Sequence, residues 1–303
     1  LIRSDTAATG LALLAFQGAG YTHRQFKYAD QVDLALKFLI ENQRPSGDLY
    51  IPQDPASDQN AWLYSHGIAT LALCEAYGMT QDPELKVAAQ QALNFMVASQ
   101  DPKQGGWRYR PQFGADTSVS GWFMMAFKSG QLAGLEVPSE TFDRIENYLD
   151  ASQQSPQVPY LYRYNPYAAD TPQQRHGLQP TAVMTSVGLL MRLYFDWNRN
   201  QPRMLAGADH LLDHLPNNGT AIRSQRDTYY WYYATQVMFH MQGAHWKRWH
   251  DELYPLLINH QVAQGEFEGS WDPLSPTPDL WANYGGRLYV TTLNLLSLEV
   301  SYR

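Results

Sequence analysis

Cysteine is nearly absent from this chain, which has 303 residues and a single thiol, Cys74. One cysteine forms neither a disulfide framework nor a metal site with several thiolate ligands within the chain. The surrounding run TLALCEAYG instead indicates a small core residue. Long apolar runs are missing too: none reaches the roughly 20 residues of a membrane-spanning helix, so no membrane span is predicted in this segment.

Basic residues are also few, with 22 Lys and Arg against 29 Asp and Glu and a net charge of −7. Without a basic stripe to neutralise phosphates, nucleic acid is excluded as a partner, and an anionic membrane surface is disfavoured. A hydrophobic content of 44% is that of a globular protein and excludes disorder. No cofactor or metal is predicted, and no compartment is assigned.

Two kinds of helix alternate along the chain. One kind is amphipathic, with an apolar stripe at i, i+3, i+4 and i+7 and polar residues opposite, which predicts one solvent-facing side. It recurs at 32–40, 85–96, 139–153, 204–215 and 251–261. The other kind is apolar nearly all round, which predicts burial on every side. It recurs at 6–19, 62–78, 117–130, 181–194, 228–243 and 287–302.

Six inner helices alternating with five outer ones predict an all-α fold, an α/α toroid of about six helical hairpins. An open solenoid of the same hairpins is the alternative. We expect residues 1–303 to form this single domain, cut from a longer protein with other domains, because the chain starts without Met inside a helical pattern. The connection 153–180 exceeds an ordinary connector, so a functional or mobile loop is expected there.

An element of Gln, Gly and Trp follows the outer helices. It has the Trp with one extra residue at 100–107, has Leu49 in place of Trp at 43–49, and carries a longer insertion at 261–271. Its structural interpretation is a staple, in which Gln bonds helix-end carbonyls and the indole covers the helix end. The element also resembles the Gln-x-x-x-Gly-x-Trp repeat of the squalene-hopene cyclase and protein prenyltransferase beta-subunit superfamily (prenyltransferase and squalene oxidase repeats). This resemblance implies the terpenoid-cyclase type of toroid.

The dipeptide Asp-Thr opens three inner helices, at Asp5, Asp116 and Asp227. N-capping is one interpretation, and it would hold each carboxylate ionised. The other is catalytic, with the three aspartates at one end of the ring near its cavity. In squalene-hopene cyclases the proton donor is the middle Asp of Asp-x-Asp-Asp-Thr. At that position the three sites have Ser4, Ala115 and Arg226. The resemblance therefore does not extend to the cyclase acid.

Two further sites of related toroids are missing. Protein prenyltransferases hold zinc with an Asp two residues before a Cys and a distant His, but Ala72 stands two residues before Cys74. The thioester domains of complement-like proteins need Cys-Gly-Glu-Gln, and here Glu75 and Ala76 follow the cysteine. The resemblance therefore brings neither a zinc site nor a thioester.

Polar and aromatic residues near the starts of the inner helices remain as candidate ligand-binding residues. Tyr and Trp can stack on sugars, and Arg can hold an anionic group, at the mouth of a concave site. The alternative is that they fill the space between the helix layers. The candidates are Asp58, Tyr64, His66, Arg108, Arg110, Trp122, Arg163, Tyr164, Tyr230, Tyr284 and Arg287, with Trp62, Tyr109 and 229–233 beside them.

Three functions are compatible with these patterns. The first is a toroid without catalytic activity that binds an elongated apolar or amphipathic molecule such as an isoprenoid, or a partner, in its central cavity. The second is a carbohydrate-active enzyme of the polysaccharide lyase or glycosidase type, with Asp5, Asp116 and Asp227 as candidate acids and Arg108 or Arg287 binding a uronate. The third is a divergent terpenoid cyclase with a relocated acid. A cavity lined by Trp, Phe and Met favours the first function, and Arg with stacked Tyr favours the second.

Overall fold

The computed structural model describes residues 3–220 and 222–302, so the outermost residues of the expected domain lie outside the described residues. Within these ranges there are twelve α-helices and two short strands. Six helices form an inner layer: α1 (Asp5–Gly18), α4 (Trp62–Thr80), α6 (Thr117–Leu132), α8 (Ala182–Tyr194), α10 (Thr228–Met241) and α12 (Ala282–Leu298).

Five helices form an outer layer, and each has a solvent-facing side as the amphipathic pattern predicts. They are α2 (Ala29–Glu41), α5 (Pro83–Ala98), α7 (Ser139–Ser152), α9 (Pro202–Leu212) and α11 (Gly243–Asn259). A short helix, α3 (Pro55–Asn60), precedes α4. Proline at the first helical position starts α5 and α9, where no backbone N–H is needed.

The inner helices close into a ring. Each of them packs on the next, from α1 through α4, α6, α8 and α10 to α12, and α12 returns to α1. The predicted α/α toroid is confirmed, and the open solenoid is wrong. Because inner and outer helices alternate along the chain, the inner helices run parallel. Their starts meet at one end of the ring, at Asp5, Trp62, Thr117, Ala182, Thr228 and Ala282, and we call this end the mouth.

The long connection after α7 is partly ordered as a hairpin. Strands β1 (Gln153–Ser155) and β2 (Val158–Tyr162) pair antiparallel, and a 3-10 turn follows at Arg175–Leu178. The backbone after β2 then crosses the mouth, where the amide of Thr117 donates to the carbonyl of Tyr164 at 2.8 Å. The connection therefore forms part of the mouth.

Helix α12 begins before the predicted start at residue 287. Gly286 interrupts it with φ 67° and ψ −161°, a conformation that glycine adopts without steric penalty. The two consecutive glycines, Gly285 and Gly286, look like a helix boundary in the sequence. The structure instead has a helical turn before the kink, and that turn carries residues of the mouth.

Side chains of α6 and α10 fill the middle of the ring. Trp122 is 1% exposed and stacks on Tyr232, with ring centroids 5.7 Å apart. Tyr233 meets the same indole edge-on at 5.9 Å, and the hydroxyl of Tyr232 lies 3.7 Å from the sulfur of Met125. The prediction of a central cavity for an isoprenoid-like molecule is therefore wrong, because aromatic side chains of the inner helices occupy that space.

The Gln, Gly and Trp elements are staples between neighbouring hairpins. The amide of Gln100 donates to the carbonyls of Gly105 at 2.8 Å and of Thr141, at the start of α7, at 3.1 Å. The indole N–H of Trp107 donates to the carbonyl of Met96 at 2.8 Å. Gln43 and Trp271 make the corresponding bonds in their own copies. The staple prediction is confirmed, with one difference: Gln reaches the next outer helix and not its own helix end.

Candidate functional site at the mouth of the ring

Asp116 lies at the mouth and caps α6. Its Oδ1 accepts the amide of Val119 at 2.8 Å, and its Oδ2 accepts the hydroxyl of Tyr164 at 3.1 Å. Burial raises the pKa of the Asp116 carboxyl to about 7, although these hydrogen bonds and Arg108 lower it. Capping was expected to hold this carboxylate ionised. That expectation is wrong because the desolvation of a fully buried carboxyl outweighs its hydrogen bonds.

Two tyrosines connect Asp116 with the outer part of the mouth. The hydroxyl oxygens of Tyr164 and Tyr109 are 2.6 Å apart, and both side chains are half-buried. Since Tyr164 donates to Asp116, Tyr109 donates to Tyr164. A hydroxyl is both donor and acceptor, so the chain reverses direction when Asp116 carries a proton.

A second chain of hydroxyls forms the floor of the mouth. Tyr64 on α4 donates to Ser118 on α6 at 2.7 Å, and the hydroxyl oxygens of Ser118 and Tyr229 on α10 are 2.6 Å apart. Tyr229 is 6% exposed and reaches across the ring. The floor therefore separates the mouth from the packed interior. We call Tyr64, Tyr109, Tyr164 and Tyr229 the tyrosine cluster.

Arg108 places a positive charge beside this cluster. Its guanidinium lies 5.0 Å from the centre of the Tyr109 ring, and its Nε lies 3.8 Å from Oδ2 of Asp116. That distance allows attraction between the charges but is too long for a hydrogen bond. Burial lowers the pKa of Arg108, and the neighbouring Tyr164 and Asp116 raise it by more, so the guanidinium stays charged.

Exposed rings form the rim of the mouth. Trp281 and Tyr284 are 39% and 53% exposed, and their ring centroids are 6.0 Å apart. Trp281 also meets Tyr229 edge-on at 6.5 Å. On another side, His176 stacks on Tyr164 at 6.3 Å. The rim thus offers apolar ring faces next to the hydroxyls of the tyrosine cluster.

The other acidic candidates are held by local bonds. Asp227 caps α10, and burial raises the pKa of its carboxyl to about 7. Asp5 is exposed and accepts the side-chain amide of Gln53 at 3.0 Å, while Ser4 caps α1. Asp58 accepts the backbone amide of Gln53 at 2.9 Å. Capping is confirmed for Asp116 and Asp227. It is wrong for Asp5, because Asp5 is itself the first residue of α1 and the preceding residue, Ser4, is the cap.

Three of the predicted binding residues lie in the interior. His66 is fully buried, burial lowers the pKa of its imidazole to about 4, and its Nδ1 accepts the amide of Leu49 at 3.1 Å. Trp122 fills the ring. Tyr230 donates to the carbonyl of His214, just beyond α9, at 3.0 Å. These three side chains hold helices together and do not line the mouth.

The remaining arginine candidates do not join the tyrosine cluster. Arg163 donates to the carbonyl of Gln154 in the hairpin. Arg287 pairs with Asp272 at 2.7 Å and lies over a phenylalanine ring. Arg110 is exposed. Of the predicted arginines, only Arg108 contacts the site.

Sequence reasoning missed Ser118 and Trp281 and favoured Tyr230 over Tyr229. Consecutive helix residues point about 100° apart, so Tyr229 faces the mouth while Tyr230 faces α9. A usable signal was present: Ser118 and Tyr229 each stand two residues after a capping aspartate, Asp116 or Asp227. That shared register places both hydroxyls at the same height in the ring.

The described residues have neither a cluster of metal ligands nor a helix suited to a bilayer. Among residues 3–220 and 222–302, no three His, Cys, Asp or Glu side chains come together as metal ligands would. None of the helices in these ranges has both the length and the hydropathy of a bilayer span.

Solved structures with the same architecture act on carbohydrates. The chain is similar over 98% of its length to an α-amylase from Clostridium perfringens (85% of that chain, 12% identity, TM-score 0.61). It is similar over the same share to the GH76A α-1,6-mannanase from Salegentibacter sp. (88%, 10%, 0.64) and to a sugar epimerase from a ruminal bacterium (87%, 12%, 0.60). No protein-family model and no curated protein sequence matches the chain. These identities establish a shared fold alone.

The expected membership of the squalene-hopene cyclase and prenyltransferase group is wrong, since the matched toroids are glycosidase-type enzymes and a sugar epimerase. The Gln, Gly and Trp element led to the wrong family because its role is structural: it joins neighbouring hairpins, which any toroid of helical hairpins requires. The functions drawn from that resemblance, the apolar-ligand toroid and the divergent cyclase, fall with it. One matched structure is an inactive mannanase variant, with two consecutive aspartates changed to asparagine, in complex with α-1,6-mannotriose. This chain has no two consecutive aspartates.

Proposed function

We propose that the chain is a carbohydrate-active enzyme that binds a sugar at the mouth and transfers a proton through Asp116. One observation carries the proposal: a buried carboxyl with a pKa of about 7 is linked by Tyr164 to the half-buried hydroxyl of Tyr109. Carboxyls whose pKa is strongly raised by burial and that have specific hydrogen-bond partners are more frequent at functional sites than elsewhere. The carbohydrate-acting toroids with the same fold support the substrate class.

The mouth has the chemistry that a sugar needs. The faces of Trp281 and Tyr284 are exposed for stacking on the C–H side of a pyranose ring. The hydroxyls of the tyrosine cluster can donate to or accept from sugar hydroxyls. Because the ring interior is packed, the substrate lies across the mouth and does not thread through the ring.

The proton moves between Asp116 and the substrate through two hydroxyls. The carboxyl itself has no exposed surface, so it does not touch a ligand. With Asp116 ionised, Tyr109 takes a proton from the substrate as its own proton passes to Tyr164 and that of Tyr164 to Asp116. With Asp116 protonated, the same chain delivers a proton outward. A pKa close to the working pH makes both states available.

A single carboxyl in this network favours proton transfer at carbon, as in elimination or epimerisation. Hydrolysis by the usual mechanism needs a pair of carboxylates at a defined separation. In the described part of the mouth, Asp227 caps its helix and Asp5 and Asp58 are bound by Gln53. Asp227 also has hydrogen bonds with the backbone of Tyr229 and with Trp281, but none of these three carboxylates has a hydrogen bond with a hydroxyl of the tyrosine cluster among those found between described residues.

The test is a turnover assay in D2O with neutral and acidic oligosaccharides, read by mass spectrometry for deuterium uptake, cleavage and unsaturated products. Asp116→Asn keeps a cap oxygen and a donor for Tyr164 but cannot ionise. We expect it to lower turnover by roughly 10²-fold or more. Asp82→Asn, at the cap of α5 away from the mouth, is the matched control and should retain activity.

Turnover by Asp116→Asn at the rate of the unchanged protein would remove Asp116 from the mechanism. Binding of a sugar by the unchanged protein without deuterium uptake or cleavage would instead support a second function, carbohydrate binding without catalysis. The full burial of Asp116 is the observation that favours this second function.

A further inference from the structure

We propose that Arg108 is an anion-binding residue that holds the carboxylate of an acidic, uronate-bearing sugar at the mouth. The inference rests on the proposed function, because it names the substrate class of the same site. It goes further by assigning the ligand its charge and by assigning this arginine the contact that selects it.

The first support is an unused donor. The side chain of Arg108 is 28% exposed, and its Nε is buried without a hydrogen-bond partner among the described residues. A buried donor left unpaired is unfavourable, and more so when it is charged. A planar guanidinium satisfies such donors best with a carboxylate, which accepts two parallel N–H bonds. Because Nε itself is buried, a ligand carboxylate would bind the exposed part of the guanidinium, whose charge Asp116 compensates only from 3.8 Å away.

The second support is a contrast with the other half-buried and buried arginines. Arg226 donates to backbone carbonyls, including that of Ser275 at 2.6 Å. Arg192 donates to the hydroxyl of Tyr162 at 3.1 Å and pairs with Asp150. The fold therefore provides partners for these guanidinium groups. Arg108 differs in that its Nε has no hydrogen-bond partner among the described residues, and the carboxylate of Asp116 lies 3.8 Å from it.

The third support is that Asp116 compensates Arg108 incompletely. The two groups are 3.8 Å apart and share no hydrogen bond. Burial also favours the protonated carboxyl, whose pKa is raised to about 7. Near neutral pH a share of the molecules thus has a neutral carboxyl beside a charged guanidinium, and an anionic ligand supplies the missing charge.

The position of Arg108 also suits proton transfer. Its guanidinium lies over the ring of Tyr109, the outermost hydroxyl of the chain to Asp116. A carboxylate bound to Arg108 therefore lies near Tyr109. Neutralising a carboxylate makes the adjacent C–H more acidic, since the charge that develops on deprotonation is stabilised by the cation. An acidic sugar is thus the class on which this site would act.

The experiment is isothermal titration with tetragalacturonate and tetramannuronate and with their methyl esters, which keep the sugar rings but lose the charge. The unchanged protein should bind at least one acid roughly tenfold more tightly than its ester, since hydrogen bonds between charged groups are stronger than those to a neutral ester. Arg108→Gln should reduce the affinity for that acid to that of the ester. Arg203→Gln removes the same charge from an exposed position on α9 and should bind like the unchanged protein.

The outcomes separate the two proposals. Esters that bind the unchanged protein as tightly as both acids overturn the role of Arg108 and leave the proposed function standing. If neither the acids, the esters nor α-1,6-mannotriose binds, the proposed function fails and this inference with it. The acid-to-ester ratio of the unchanged protein does not depend on how well Arg108→Gln folds. Arg108→Lys adds a second check and should give an intermediate affinity, because it keeps the charge without the planar fork.

Discussion

At the residue scale, two side chains with strongly shifted pKa values have opposite roles. His66 is held neutral in the interior by burial, with hydrogen bonds at both ring nitrogens, so it is a structural residue. Asp116 is buried too, but its bonds lead to the mouth. Burial raises or lowers the pKa of both side chains, so we base the proposed role of Asp116 on its hydrogen bonds toward the mouth, which His66 does not have.

The raised pKa of Asp116 predicts a pH-dependent effect of Asp116→Asn on stability. The folded state holds this proton up to about pH 7 and the unfolded state only up to about pH 3.8, so ionisation destabilises the fold as the pH rises between these values. Asparagine does not ionise. The variant should gain stability over the unchanged protein from about pH 4 to 7, by on the order of 4 kcal/mol at the upper end. Urea unfolding at several pH values measures this difference.

The control variant for that prediction, Asp82→Asn, should change the stability in the opposite direction. The bonds that Asp82 accepts from Arg24 and His23 hold the pKa of its carboxyl well below its usual range. Its contribution is present above the unfolded pKa and is lost as the pH falls. Asp82→Asn should therefore be less stable than the unchanged protein at neutral pH, with the difference shrinking in acid. The same trend in both variants would contradict the assignment for Asp116.

At the scale of elements, the repeated staple joins the hairpins into one ring. Its Gln donates hydrogen bonds to a turn and to the next outer helix. Its Trp donates a hydrogen bond to a carbonyl near the end of the preceding outer helix. The copies differ in burial: Gln100 is 3% exposed, whereas Gln261 is exposed and bonds only the carbonyl of Gly269 among the contacts shown. The element therefore differs in strength from one copy to the next.

Alanine at the two Gln positions should separate these copies. Gln100→Ala leaves two buried carbonyls without their donor, and we expect a loss of roughly 2 kcal/mol in the free energy of unfolding. Gln261→Ala removes an exposed bond and should change it by less than about 0.5 kcal/mol. Urea denaturation gives both values. Equal losses would mean that burial does not decide the strength of the staple.

At the scale of the whole molecule, the ring is a packed scaffold, and the proposed active site lies at one end of it. Side chains of α6 and α10, which are not adjacent in the ring, meet in its interior, and Tyr229 closes the floor of the mouth. This arrangement holds the starts of the inner helices in place. The side chains of the mouth are thus positioned by rigid elements, which a catalytic site requires.

Trp122→Ala tests this packing. The indole is 1% exposed and stacks on Tyr232, so its removal opens a cavity between α6 and α10. We expect a loss of about 3–5 kcal/mol in the free energy of unfolding. Leu34→Ala, at a position 67% exposed on α2, should have little effect. A loss below about 1 kcal/mol for Trp122→Ala would indicate a hollow ring instead.

The architecture was determined by the sequence itself, because helix type follows from periodicity. The apolar and amphipathic segments predicted six inner and five outer helices. Whether a helix is buried on all sides or on one side follows from the local order of apolar and polar residues. The sequence also predicted two local features, the caps Asp116 and Asp227 and the staple of Gln100 and Trp107. Each depends on residues that lie close together in the chain.

Only the tertiary structure decided what the mouth contains. Arg108, Asp116, Tyr164 and Tyr229 come from distant parts of the chain and meet only when the ring closes. The pKa of Asp116 also depends on that closure, since desolvation by neighbouring helices outweighs the local cap. The sequence likewise could not show that the ring is filled, because the aromatic side chains that line a cavity and those that fill it are the same.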